Sequence, residues 1–223
     1  VYAFITPSEF LKKKLSLNGF EEKRIHCIPT FTASKTTIGK QQIGSYGLYF
    51  GRVTEEKGVE TVIKAYEKLP EYTVKIMGDD TTDEAKRLKK YVENHKMKNV
   101  EFLGFKSGAE LENVIKGARF TLIPSIWYDN LPNTALESFQ YSKPVIASNI
   151  GSLPELVIDG ENGYLFKPSN VEDLIKKIKM LDDDTLVKKM GQASRKRLES
   201  RFAPQTHYED LMKIFNEAVK SRK

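Results

Sequence analysis

The chain has 223 residues, of which 39% are hydrophobic and 30% are charged, a composition typical of folded globular proteins. Its 36 basic and 30 acidic residues give a net charge of +6 and are interspersed along the sequence. The basic residues therefore form no stripe that would indicate nucleic-acid binding. No apolar run approaches the ~20 residues that span a bilayer, and the single cysteine excludes an intrachain disulfide. These features predict a cytoplasmic protein that binds no nucleic acid.

Few helices and strands are predicted in the N-terminal part of the chain. It begins at Val1 with residues that look like the middle of an α/β fold, so we expect a fragment of a larger protein. Ser8 can cap a helix over Glu9–Leu17, and residues 25–28 are predicted to form a strand. Residues 30–45 are polar and contain glycine, which predicts a linker.

After the linker, short β-rich segments alternate with longer helical ones. The predicted strands are Tyr46–Phe50, Thr73–Met77 and residues 100–103, 120–123 and 145–147. The predicted helices cover residues 58–69, 81–95, 107–116, 134–141, 170–181, 185–200 and 205–220. Alternation at this rhythm predicts an α/β fold with a doubly wound parallel sheet, in which ligands bind at the carboxyl ends of the strands.

Three Ser/Thr-x-x-Glu patterns predict capping boxes, in which a hydroxyl and a carboxylate bond the first backbone N–H groups of a helix. They are Thr81 with Glu84, Ser107 with Glu110, and Ser152 with Glu155. Each is expected to fix where its helix or short helical turn begins.

Candidate ligand-binding residues follow the first strand after the linker. Gly51 would let a ligand approach the backbone closely, and Arg52 and Lys57 place two cations beside a helix start. This arrangement suits a diphosphate. On these residues alone, pairing of the two cations with Glu55 and Glu56 at the surface stays open as an alternative.

The next two strands also end in glycine. Asp79 and Asp80 follow Gly78, and we interpret the pair as a loop that caps the next helix rather than as metal ligands. Gly104 and Phe105 follow the third strand, where a planar base or simply a glycine turn with a half-buried ring would fit.

Metal-binding and nucleophilic constellations are not evident in the sequence. Adjacent His26 and Cys27 would face opposite sides of a strand, and His95 and His207 have no partner at ligand spacing. The glycine motifs of nicotinamide enzymes and NTPases are missing, as is a serine or cysteine triad. We therefore predict no metal site and no bound cofactor.

The segment between Pro124 and Pro144 carries the strongest functional signal. Asp129 lies before Pro132, and a proline disfavours helix in the residue before it, so a new helix is expected to start at Pro132 or Asn133. Glu137 then lies near the helix start, beside unpaired backbone N–H groups. Such a corner can hold a phosphate on its amides and sugar hydroxyls on its carboxylates.

Together these motifs resemble the C-terminal half of the family 4 (group 1) glycosyltransferases. In chain order they are F-G-R-x-x-x-E-K-G-V-E, M-G-D, F-L-G-F, L-I-P-S, D-N-L-P-N-T-A-L-E-S-F, K-P-V-I-A-S-N-I-G-S-L-P-E-L-V and D-G-E-N-G-Y-L-F. The resemblance implies the GT-B architecture, in which two Rossmann-like domains face each other across a cleft and the C-terminal domain holds a nucleotide-sugar donor.

The resemblance also implies a domain division. Residues 1–29 would be the last βα segment of a mostly missing N-terminal domain, and residues 30–45 the linker. Residues 46–204 would form the Rossmann-like donor domain, and residues 205–223 a helix that crosses back to the N-terminal domain.

Site residues follow from the resemblance, position by position. Diphosphate binding is assigned to Gly51, Arg52, Lys57 and Thr134, and sugar binding to Asp129, Asn130, Leu131, Pro132 and Asn133, with the amides of residues 130–134 lining the sugar and phosphates. Ribose binding is assigned to Glu137, and base binding to Gly104 and Phe105. Asp129 and Glu137 fall on the family's E-x7-E motif and are the predicted catalytic residues.

The implied function is retaining, metal-independent transfer of a sugar from a UDP- or GDP-sugar, in polysaccharide or glycolipid synthesis. A carbohydrate or lipid-linked acceptor would bind through the missing domain, the full-length protein could rest on the cytoplasmic face of a membrane, and the fragment alone would be inactive. Two alternatives stay open: a GT-B sugar-nucleotide 2-epimerase, and a non-catalytic nucleotide-binding or scaffolding module.

Three positions depart from the family pattern. Asp129 stands where the family has Glu and reaches one methylene less. Thr30-Phe31 stands where Asn-Gly is common, at the hinge, and Asp80 replaces a glycine beside the donor cleft.

Overall fold

The computed structural model describes residues 1–32 and 42–221, and its centre is a six-stranded sheet with every strand parallel to its neighbours. The strands of the described residues are β1 (Phe4–Thr6), β2 (Ile25–Cys27), β3 (Tyr46–Phe50), β4 (Thr73–Met77), β5 (Val100–Gly104), β6 (Ala118–Ile123), β7 (Val145–Ser148) and β8 (Gly163–Phe166). The helices are α1 (Glu9–Leu17), α2 (Val59–Glu67), α3 (Asp83–Asn94), α4 (Gly108–Gly117), α5 (Asn133–Gln140), α6 (Leu153–Leu156), α7 (Val171–Met180), α8 (Asp184–Arg201) and α9 (Pro204–Lys220).

The strand order of the large sheet is β5-β4-β3-β6-β7-β8. The chain first winds outward from β3 to β5 and then crosses back to β6, which pairs with the other side of β3. The loops after β3 and β6 therefore leave the sheet in opposite directions and open a crevice between them. This is the doubly wound parallel sheet that the sequence predicts, and the crevice is where a ligand is expected.

Apolar residues cover both faces of the sheet because strand side chains alternate between the faces. Tyr49 and Leu122 pack on one side in a cluster with residues of α2, α3 and α7. Leu48 and Phe50 pack on the other side in a cluster with Ile115 of α4. A third cluster joins α5, α6 and the end of α8 over the β6–β7 part of the sheet.

The N-terminal residues form a separate unit of β1, α1 and β2. The two strands pair in parallel, with Phe4 opposite Ile25 and Thr6 opposite Cys27. As predicted, Ser8 caps α1 by accepting a hydrogen bond from the Leu11 N–H at 3.2 Å. The domain division proposed from the sequence stays a prediction, and residues 33–41 of the predicted linker lie outside the described residues.

Most element boundaries agree with the predictions to within two residues, but one strand was missed and the three predicted hydroxyl caps on Thr81, Ser107 and Ser152 are wrong. Strand β8 was not predicted, although it forms one end of the sheet. Thr82, not Thr81, caps α3 by accepting from the Ala85 N–H at 3.1 Å, because Asp79 holds both the N–H and the hydroxyl of Thr81. The hydroxyls of Ser107 and Ser152 stand at cap positions but make no capping bond.

Candidate functional site

The crevice beside β3 holds a cleft of about 230 Å³. Its walls come from the end of β3, the loop after β6 and the start of α5. They are formed by Tyr49, Phe50, Gly51, Arg52, Lys57, Leu122, Ile123, Ser125, Asp129, Asn130, Pro132, Asn133 and Thr134. Eight of the nine residues assigned to diphosphate and sugar from the sequence therefore lie together, at the predicted end of the sheet.

Two contacts bring the β3 and β6 loops against each other. Gly58 has φ +67°, and a Cβ there would meet the Pro124 carbonyl oxygen at 2.1 Å, so only glycine permits this approach. Next to it, the Ile126 N–H donates to the Glu56 carbonyl at 3.0 Å. These contacts place the turn of 3₁₀ helix over Glu55–Lys57 beside Asp129.

Lys57 forms an ion pair with Asp129. Lys57 Nζ donates to Asp129 Oδ1, and the Ser125 hydroxyl donates to Asp129 Oδ2. The side chains of Lys57 and Asp129 are only 18% and 10% exposed, so both charges are largely removed from water. The carboxylate is thus held on both oxygens at the edge of the cleft, and the ammonium lies next to it.

Arg52 differs from Lys57 in its exposure. Its side chain is 73% exposed and pairs with Glu56, with Nη2 at 3.6 Å from Oε1. Its backbone carbonyl accepts a hydrogen bond from the Tyr49 hydroxyl, which fixes the main chain at Arg52. The simpler interpretation of surface pairing therefore describes Arg52 but not Lys57, whose partner is Asp129.

A second cleft of about 330 Å³ continues from the first. Phe50, Gly51, Arg52 and Thr134 line both. The second cleft is completed by Met77, Gly78, Asp79, Phe105, Lys106, Leu111 and Glu137. One continuous groove therefore runs from Asp129 past Arg52 to Phe105 and Glu137.

Glu137 lies half-buried in the second cleft. Burial raises the pKa of its carboxyl above the ordinary value. Among residues 1–32 and 42–221 no side chain or backbone group donates a hydrogen bond to this carboxylate. A desolvated carboxylate in that state is ready to accept hydrogen bonds from the hydroxyl groups of a ligand.

Phe105 and Gly104 occupy the end of the groove. The Phe105 ring is 74% exposed and lines the second cleft. Gly104 does not line it; its carbonyl accepts a hydrogen bond from the Gly78 N–H at 3.0 Å. An exposed ring beside an apolar wall is suited to stacking on a planar group.

The residues around the start of α5 fall into two groups. Pro132, Asn133 and Thr134 line the first cleft, where the first N–H groups of a helix have no partner within the helix. Leu131 does not: its side chain is 5% exposed in the core, and its N–H donates to the Ser152 hydroxyl at 2.7 Å. The side chain and N–H of Leu131 are therefore engaged within the protein, and its assignment as a sugar-binding residue stays a prediction.

Sequence reasoning did not find several residues of the groove. Ser125 directly follows β6 and holds Asp129, and a hydroxyl at the end of a central strand was the only local signal. Tyr49 and Lys106 have no local sequence pattern that distinguishes them from other strand and loop residues. Asp79 accepts hydrogen bonds from Thr81, as expected for a capping loop, and also lines the groove.

The described part of the chain has neither a metal-binding cluster nor a membrane-spanning helix. Within residues 1–32 and 42–221, no group of three or more His, Cys, Asp and Glu side chains is arranged to hold a metal ion. No helix in the same ranges is long and apolar enough to cross a membrane.

Comparison with known proteins links the chain to a family. The family model described as glycosyl transferases group 1 matches residues 34–197. An uncharacterized glycosyltransferase of Methanocaldococcus jannaschii is 30% identical over 174 residues, which cover 78% of this chain and 48% of the relative. Glycogen synthase of Mycobacterium tuberculosis is 31% identical over 186 residues, 79% of this chain and 42% of the relative. The chain thus spans about half the length of these relatives.

Solved structures with the same fold include a glycosyltransferase and a protein solved with UDP and glucose. A glycosyltransferase of Rickettsia africae has a TM-score of 0.89 and 21% identity, covering 98% of this chain and 64% of that one. The Anabaena protein HepE, solved with UDP and glucose, has a TM-score of 0.85 and 20% identity, covering 97% and 63%. At this identity the likeness shows the fold alone.

Proposed function

Because the chain belongs to the group 1 glycosyltransferases, we propose that it is the donor-binding domain of a retaining glycosyltransferase that uses a nucleotide-sugar. The observation that carries the proposal is the single groove that joins two cations, a helix start and an unpartnered carboxylate. Its cleft volumes of about 230 and 330 Å³ sum to the size of a small-molecule site.

The middle of the groove takes the diphosphate in this proposal. Arg52 is exposed and free to turn toward an anion, and the N–H groups at the start of α5 face the same space. Backbone N–H groups at a helix start bind phosphate oxygens, and the helix dipole adds to the attraction. Lys57 lies beside them and supplies the second cation.

These groups also suit the chemistry of transfer. When the bond between the sugar and the diphosphate breaks, negative charge develops on the leaving diphosphate. Fixed cations and amides aimed at that charge stabilise the transition state more than the bound donor. In this chain the developing charge is stabilised by Arg52, Lys57 and the α5 amides, without a metal ion or cofactor.

The two ends of the groove take the sugar and the nucleoside. Asp129, Asn130, Pro132 and Asn133 form the end that receives the sugar. At the other end Glu137 accepts the ribose hydroxyls, and the exposed Phe105 ring stacks on the base. Asp129 contacts the sugar and Glu137 the ribose, which keeps both as the proposed catalytic pair.

The identity of the donor is proposed from the comparisons. HepE was solved with UDP and glucose, and other related proteins are named for capsular polysaccharide biosynthesis and sulfoquinovosyl transfer. We therefore place a UDP-sugar before a GDP-sugar, and synthesis of a polysaccharide or glycolipid as the setting. The acceptor would bind outside this chain, so the chain alone binds the donor without transferring the sugar.

The test is calorimetric titration of the chain with UDP, GDP and ADP, each with and without magnesium. We expect saturable binding of one nucleotide, unchanged by magnesium. Binding should weaken about tenfold in Arg52→Ala and in Glu137→Gln, the loss expected for one hydrogen bond to a charged group. Lys86→Ala is the matched control, because Lys86 is an exposed cation on α3 outside the groove.

Equal affinity of wild type, Arg52→Ala and Glu137→Gln would overturn the assignment of the groove. If neither this chain nor the full-length protein bound any nucleotide, the chain would be a non-catalytic module. Epimerisation of a sugar-nucleotide by the full-length protein would replace transfer by the 2-epimerase reaction.

A further inference from the structure

The start of α1 contacts the loop that carries Asp129, and the donor loop is defined here as residues 128–131. We infer that Ser8 and Glu155 are positioning residues, which hold the donor loop in the shape that receives the sugar. The inference rests on the proposed function and goes beyond it, because it assigns a role to residues outside the groove.

Glu155 joins α6 to α1. Its Oε2 accepts from the Glu9 N–H at 2.8 Å and its Oε1 from the Phe10 N–H at 2.7 Å. Both N–H groups belong to the first turn of α1, where backbone N–H groups have no acceptor within the helix. The negative charge of Glu155 also interacts favourably with the dipole of α1. The backbone of Glu155 is held in turn, because its carbonyl accepts from Arg197 of α8.

Ser8 joins α1 to the donor loop directly. Its buried hydroxyl donates to Asn130 Oδ1 at 2.7 Å while it accepts from the Leu11 N–H at 3.2 Å. Beside this bond, the rings of Phe10 and Tyr128 lie 5.0 Å apart. Lys14 Nζ lies 5.1 Å from the centre of the Tyr128 ring.

The opposite side of the donor loop is held by Ser152, at the start of α6. Its hydroxyl donates to the Asp129 carbonyl at 2.7 Å and accepts from the Leu131 N–H at 2.7 Å. Leu131 has φ +55°, a left-handed conformation that costs a branched side chain energy unless surrounding contacts impose it. The loop is therefore clamped between α1 and α6, and Glu155 fastens these two helices to each other.

The clamp acts on one end of the groove only. Asn130 and Asp129 line the sugar end, whereas Phe105 and Glu137 lie at the nucleoside end. Loss of the clamp should therefore weaken recognition of the sugar while binding of the nucleoside diphosphate is kept. A residue with a purely structural role would weaken both ends together.

The chain contains a probe of the loop. Its single tryptophan, Trp127, precedes the donor loop and is 60% exposed. The first arm of the test measures the fluorescence anisotropy of Trp127 in wild type, Glu155→Gln and Ser8→Ala. Glu155→Gln keeps the size of the side chain but loses its charge and one acceptor, so we expect a lower anisotropy as the loop gains motion.

Two controls separate the clamp from general effects. Glu93→Gln removes an exposed carboxylate on α3, away from the loop. Asn170→Ala removes an N-cap like that of Ser8, since Asn170 accepts from the Asp173 N–H at 2.9 Å at the start of α7. Both are expected to keep the wild-type anisotropy, and Glu155→Asp is expected to restore part of it.

The second arm compares the affinities for UDP and UDP-glucose by calorimetry. In Glu155→Gln we expect the UDP affinity within about twofold of wild type and the extra affinity for UDP-glucose reduced about tenfold, a loss equivalent to one charged hydrogen bond. Failure of wild type to bind UDP, GDP and ADP would refute the proposed function, and the anisotropy arm would still decide the clamp. Wild-type anisotropy in both Glu155→Gln and Ser8→Ala would overturn the inference, as would equal loss of UDP and UDP-glucose affinity.

Discussion

Lys57 and Asp129 are 72 positions apart in the chain and form an ion pair at the edge of the groove. Ser125 donates to the second carboxylate oxygen, so each oxygen of Asp129 has one donor before any ligand arrives. The carboxylate holds the Lys57 ammonium beside the cleft, and the ammonium holds the shorter Asp129 side chain in place. Each side chain thus needs the other for the geometry proposed for donor binding.

Replacing Lys57 by Met is expected to lower stability as well as nucleotide affinity. The change leaves a 10% exposed carboxylate with Ser125 as its remaining hydrogen-bond donor, and removal of one partner from a buried pair costs about 3 kcal/mol. Urea unfolding of wild type and Lys57→Met measures this difference in the free energy of unfolding.

The double variant Lys57→Met/Asp129→Asn is the matched control, because it removes both charges together. It should recover most of the stability lost in Lys57→Met, since no buried charge is left unpaired. Additive losses from the two substitutions would show that the pair does not stabilise the groove.

Replacing Glu137 by Gln is expected to stabilise the folded chain near neutral pH. Burial raises the pKa of Glu137 above 4.5, so the folded state binds the proton more tightly than the unfolded state. By linkage, the stability that Glu137 contributes is present below pH 4.5 and is lost as pH rises through its folded pKa. Glu137→Gln removes this loss, and the same substitution should weaken UDP binding.

Thermal unfolding of wild type and Glu137→Gln across this pH range makes the comparison. The two proteins should unfold at similar temperatures in acid and diverge as pH rises, with the variant higher. A variant that is less stable at neutral pH would mean that the carboxylate has a stabilising partner.

The sequence predicts the large sheet well because its signals are local. Each of β3 and β4 is a short apolar segment closed by glycine, and α1, α3 and α7 begin with a side chain that caps its own helix. Strand β8 escaped prediction because Gly163–Phe166 has four residues and begins with glycine, and its burial at the sheet edge comes from neighbours far along the chain.

One predicted capping box failed because long-range contacts replaced the local ones. Ser152 and Glu155 have the spacing of a capping box, yet the Ser152 hydroxyl bonds Asp129 and Leu131, and the Glu155 carboxylate bonds α1 at a separation of up to 146 positions. The same limit applies to the site: the strand ends locate the groove, but no local pattern says that Lys57 pairs with Asp129.

Lys143 is expected to stabilise the chain through three backbone carbonyls. Its buried Nζ donates to the carbonyls of Gln42, Lys116 and Ala118, each at 2.7 Å. Lys143→Met leaves these acceptors without the donor and should lower the free energy of unfolding at neutral pH by about 2 kcal/mol.

The pH dependence distinguishes this contact from ordinary packing. Burial lowers the pKa of Lys143 from 10.5 to about 8, so between these values the unfolded state binds more protons and the stability of wild type rises with pH. The difference between wild type and Lys143→Met should therefore grow from pH 8 to 10.5, by up to about 3 kcal/mol for such a shift. A difference that stays constant in urea titrations would contradict the lowered pKa.

Cys27 is expected to be unreactive in the folded chain. Burial raises the pKa of its thiol to about 12, with a further contribution from the Glu9 carboxylate at the start of α1. Because the thiolate is the nucleophile, alkylation by iodoacetamide near pH 8 should be at least about a hundredfold slower than in the urea-unfolded chain. Glu9→Gln should speed labelling of the folded chain, since it removes a negative charge beside the sulfur. Rapid labelling of native wild type would show that β2 is open to solvent at Cys27 and that α1 is not docked over it.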